Sequence, residues 1–95
     1  MPDLEELIET KEQISIDDKV VELSDLIIYN DDVNTFEYVI ESLKDICEHS
    51  SVQAEQCTWI IHHKGKCSVK RGVFEKLKPM AQAFSNRGIS AQIEN

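Results

Sequence analysis

The chain has 95 residues, 41% of them hydrophobic, and 10 Lys and Arg stand against 18 Asp and Glu for a formal net charge of -8. That length supplies one small core and so one domain, and the acidity argues against nucleic acid as a partner, because phosphate binding rests on clustered Lys and Arg. No apolar run approaches the roughly 18 residues that span a bilayer, so no membrane contact is expected.

The acid is unevenly spread. Residues 1–24 carry eight acidic and two basic side chains, net -6, which leaves ten and eight, net -2, for residues 25–95. The N-terminus lacks a basic region followed by an apolar one. Three cysteines, Cys47, Cys57 and Cys67, without a C-x-x-C pair, read as free thiols of a reducing compartment. A soluble, cytoplasmic protein without a cofactor is expected.

In chain order, residues 1–22 place acidic groups among scattered Leu and Ile with no aromatic residue and no firm cap, and read as a flexible acidic arm. Residues 23–95 read as the folded domain. From Leu23 to Tyr29 a β-branched and aromatic run predicts a strand that ends at the polar turn Asn30-Asp31-Asp32. Asn34 is placed to cap the next helix, with Glu37 three residues on to complete a capping box. Phe36, Val39, Ile40, Leu43, Ile46 and Cys47 then keep helical spacing to about His49. Ser50 or Ser51 opens a second helix that closes at Lys64-Gly65, where glycine suits a left-handed terminus. Lys66 to Arg71 reads as extended. Val73, Phe74, Leu77, Met80, Ala81 and Phe84 resume helical spacing around an interior Pro79, expected to bend the helix or mark a 3₁₀ lead-in. Alternation of Ile89, Ala91 and Ile93 predicts a last strand. The expected fold is α+β, in the order β-α-α-β-α-β.

The Asn30-Asp31-Asp32 cluster gathers acceptors where a strand ends, an arrangement suited to a small cation such as an amino group. Taken alone it is more often simply a turn with a helix cap. A second polar signal, His62-His63-Lys64-Gly65-Lys66, closes the second helix. His49 and His63 read as solvated helix-end residues, and Trp59 and Phe74 as core or partly exposed packing. Cys57, His62, His63 and Cys67 offer zinc-type donors, but their spacing fits no standard knuckle. No nucleophile sits beside a recognisable base and there is no phosphate loop, so an enzyme is not expected.

Leu26 to Asp32, Phe36 to Leu43, and Trp59-Ile60-Ile61-His62-His63-Lys64-Gly65-Lys66 followed by Gly72-Val73-Phe74 together resemble ClpS, the bacterial adaptor of Clp proteases. The likeness covers about residues 24–94. It implies a three-stranded sheet covered on one side by three helices, as in the C-terminal domain of the ribosomal stalk protein. It also implies an adaptor that binds a free N-terminal Leu, Phe, Tyr or Trp and hands the substrate to a ClpA-like or ClpC-like AAA+ unfoldase.

By that resemblance Asn30, Asp31 and His62 hold the amino group. Asp32, Asn34, Phe36, Val39, Thr58, Ile61 and Ile89 wall the side-chain pocket. A neutral imidazole is needed for His62 to accept a hydrogen bond from the amino group. Phe36 and Thr58 stand where the family commonly has Met, so the order of preference among N-terminal residues is open. Leu77 and Gln82 replace charged residues that face the unfoldase in the family, and the 67–71 segment is about two residues longer. The arm resembles the family's flexible extension. An interaction module on the same fold, without N-terminal recognition, is the alternative.

Overall fold

The computed structural model describes residues 13–16 and 19–95, with side chains from residue 21 onward. Strand β1 (Gln13–Ile16) pairs antiparallel with β2 (Lys19–Glu22), setting Ile14 opposite Val21 and Ser15 opposite Val20. This ribbon adds two strands to the expected order, inside the segment read as an arm. Its signal is the alternation of Gln13 and Ser15 with Ile14 and Ile16 ahead of Asp17-Asp18, a period of two that the surrounding acid obscures. Residues 1–12 and 17–18, the greater part of the expected arm, lie outside the described residues.

From Ser24 onward the order is the expected one: β3 (Ser24–Tyr29), α1 (Phe36–Cys47), α2 (Ser51–Lys64), β4 (Lys66–Gly72), α3 (Phe74–Asn86) and β5 (Ala91–Glu94). Three strands form an antiparallel sheet in the order β4-β3-β5. Leu26 and Ile28, two positions apart on β3 and so on one face of the sheet, are fully buried against Val39 and Leu43 of α1, Ile61 of α2 and Leu77 and Phe84 of α3. Each such side chain contributes about 1.5–3 kcal/mol by leaving water. The helices therefore cover one sheet face, and the α+β two-layer class holds.

Several local expectations are corrected. Thr35, not Asn34, caps α1: its hydroxyl accepts from the Tyr38 backbone N–H at 3.1 Å. Ser50 caps α2 through Gln53 N–H at 3.1 Å, and Gly65 closes it at φ 93° as expected. Helix α1 ends at Cys47, and His49 is buried rather than solvated, 7% exposed, with Nε2 2.8 Å from the Val69 carbonyl. Val69 is the extra residue of a bulge: β3 Leu26 pairs with Lys70 and Ile27 with Ser68. Helix α3 runs through Pro79. Strand β5 begins at Ala91, and Ile89 is a 2%-exposed core residue of the preceding loop.

Candidate functional site

The loop 30–35 is fastened at both ends. The Asn30 N–H donates to the Gly65 carbonyl at 2.8 Å, drawing the loop against the C-terminal end of α2, where His62 stands one turn earlier. At the other end the Asn34 amide donates to the Gly88 carbonyl at 2.9 Å. Between these ends Asp31 organises the loop: one carboxylate oxygen accepts from the Val33 and Asn34 N–H groups at 2.9 and 2.8 Å, the other from the Asn34 side chain at 2.7 Å. The Asn34 backbone N–H, with the Val33 N–H and the Asn34 amide, holds the Asp31 carboxyl below its ordinary value despite partial burial. Asp31 is therefore anionic at neutral pH. Of a carboxylate's roughly four acceptor positions, three are engaged within the loop.

Loop and helices enclose a cavity of about 370 Å³, within the range of roughly 300–1,000 Å³ typical of small-ligand pockets. Asn30, Asp31, Asp32, Asn34 and Thr35 line it from the loop. Phe36 and Val39 line it from α1, and Thr58, Ile61 and His62 from α2. The rim carries two carboxylates and an imidazole but no Lys or Arg, while Val39, Thr58 and Ile61 are buried. Thr58 donates its hydroxyl to the Ala54 carbonyl at 2.7 Å, so its polarity is satisfied within its own helix. The Phe36 and His62 rings meet edge to face with centroids 6.4 Å apart. Such a cavity accepts a cation at its mouth and an apolar group at its base.

Nine of the ten residues singled out from the sequence thus surround one cavity. Ile89 does not: it lies in the core, its N–H bonded to the Phe84 carbonyl at 2.9 Å. Thr35 lines the cavity and was passed over because the cap was assigned one residue early. Among the described residues no three His, Cys, Asp or Glu side chains converge as metal ligands. Burial pushes the Cys47 and Cys67 thiols up to about 11, so neither is a ready nucleophile at neutral pH. No helix among the described residues is long and apolar enough to cross a membrane.

The fold and the cavity define a small two-layer α+β binding domain whose mouth suits a cation and whose base is apolar. Residues 21–91 match the family described as ATP-dependent Clp protease adaptor protein ClpS, and the chain belongs to that family. Among solved structures it is similar to Agrobacterium tumefaciens ClpS2 bound to L-phenylalaninamide, at 20% identity and a TM-score of 0.66, over 76% of this chain and 94% of that one. No curated protein matches the chain.

Proposed function

We propose that the protein binds the free N-terminal residue of other proteins, when that residue is Leu, Phe, Tyr or Trp, and delivers them to a Clp-family AAA+ unfoldase. The observation that carries this reading is the acidic, imidazole-flanked mouth directly above an apolar base. A free α-ammonium occurs only at a chain's start, and each charge-assisted hydrogen bond to it contributes about 1.5–3 kcal/mol. Asp31, anionic and rigidly held, supplies the charge and its remaining acceptor position, while Asn30 and His62 supply two further acceptors. The first side chain then enters the base between Phe36, Val39, Thr58 and Ile61. The phenylalaninamide bound by the Agrobacterium relative presents the same two features, an α-amino group and an apolar side chain, which supports the reading.

Fluorescence anisotropy of labelled peptides tests it. Peptides that begin with Phe or Leu should bind at low-micromolar Kd or tighter, and N-acetylation should abolish binding. Equal binding of the acetylated peptide would favour an interaction module that reads some other surface.

A further inference from the structure

Helix α2 carries apolar side chains on opposite sides. Ala54, Thr58 and Ile61 are buried, yet Val52, Trp59 and Ile60 are exposed at 66, 55 and 40%. Large apolar groups left together in water mark a contact surface. Val52, Glu55, Gln56 and Trp59 wall a shallow groove of about 260 Å³.

A run of rings leads from the cavity toward this groove. From Phe36 at the cavity, His62 follows at 6.4 Å, His63 lies 5.1 Å from His62, and Trp59 lies 3.7 Å from His63, tilted by 34°. The two steps put the Trp59 ring no more than about 9 Å from that of His62, within the span of about three residues of extended chain at roughly 3.3 Å each. A peptide whose first residue fills the cavity therefore has the reach to lay its third or fourth side chain on Trp59.

The geometry points to the Val52–Trp59 groove as a second subsite, which takes an aromatic or large aliphatic side chain at position three or four of the same peptide. This rests on the proposed reading of the cavity. A second copy of the chain suits the groove less well, because a net charge of -8 opposes self-association. Glu55 at the groove adds a sign preference: an acidic side chain at those positions is repelled.

Trp59 is the chain's one tryptophan, so its emission reports the groove directly. Binding to the full chain is measured by isothermal titration calorimetry, with Trp59 emission followed in parallel, for phenylalaninamide, Phe-Ala-Gly-Gly, Phe-Ala-Leu-Leu and Phe-Ala-Glu-Glu. Only Phe-Ala-Leu-Leu should shift Trp59 emission to the blue, and it should bind about threefold to tenfold tighter than Phe-Ala-Gly-Gly, the range expected for one apolar or aromatic contact. Trp59→Ala and, independently, Val52→Asp should remove that gain. Equal affinity of the Leu-Leu and Gly-Gly peptides, or a gain that survives both substitutions, overturns the subsite while leaving the cavity reading in place. Absence of phenylalaninamide binding overturns both. An emission shift that follows protein concentration instead of peptide assigns the groove to a second copy and overturns the proposal.

Discussion

At the scale of single residues, Asp31 is both a charge and a fastener. Its three loop bonds fix the direction of its last acceptor position, so the proposed ammonium site is preorganised before a ligand arrives. Its folded carboxyl lies below the ordinary value of 3.8, so the folded state favours the anion. Its stabilising contribution is thus complete at neutral pH and is lost as pH falls below 3.8 through the folded value. Nuclear magnetic resonance of the Val33 and Asn34 amides across pH 6 to 2 should show both resonances steady to about pH 4 and moving together below it. Asp31→Asn provides the complementary result. It removes the charge and turns an amide donor toward either the backbone N–H groups or the Asn34 amide, so peptide affinity should drop more than tenfold and those two resonances should shift even at pH 7.

At the scale of elements, the bulge in β4 and the buried His49 depend on one another. A bulge leaves a ladder position unpaired, and the Val69 carbonyl recovers its bond from His49 Nε2–H across the end of α1. Nδ1 is buried and has no hydrogen-bond partner among the described residues. His49→Ala should cost about 1–3 kcal/mol, the penalty for an orphaned buried acceptor, read as a lower urea midpoint with unchanged slope. The element order was legible from Ser24 onward because 3.6-residue and two-residue periods, the Ser50 cap and Gly65 are local signals. The His49 bond was not, since it depends on a register slip 20 residues away. Ile89 was misplaced for a related reason: a buried loop residue two positions before Ala91 satisfies the same alternation as a strand residue. Asn34 kept its place in the site but lost its role as cap, because its partner Gly88 is 54 positions distant. The two polar clusters that border the cavity were legible because they fall at element ends, whereas its walls were expected only from the resemblance to ClpS.

At the scale of the whole molecule, the turn between α3 and β5 keys the C-terminal part of the chain to the cavity loop. Arg87 reaches Ser42 Oγ at 3.2 Å and the Asp45 carboxylate at 3.3 Å, and the Tyr38 hydroxyl donates to the Arg87 carbonyl at 2.8 Å. The adjacent Gly88 carbonyl accepts from Asn34, which in turn donates to Asp31. A chain of hydrogen bonds therefore runs from α1 through the 87–88 turn into the loop that carries the proposed ammonium acceptors. The ion pair with Asp45 is partly solvated and contributes little, about 0–1 kcal/mol; the bond to the fully buried Ser42 adds about 1 kcal/mol. Arg87→Ala should accordingly lower Tm by roughly 4–16 °C, for a loss of about 1–2 kcal/mol at roughly 4–8 °C per kcal/mol in a domain of this size. The same change should weaken binding of a Phe-initiated peptide severalfold, although Arg87 does not line the cavity, because the Gly88 carbonyl is freed to move and Asn34 with it. Arg87→Lys, which keeps the charge but loses the guanidinium fork, should restore Tm more fully than affinity. If both variants bind with unchanged affinity, Asp31 and the Asn30–Gly65 bond hold the loop without the turn, which then acts only on stability.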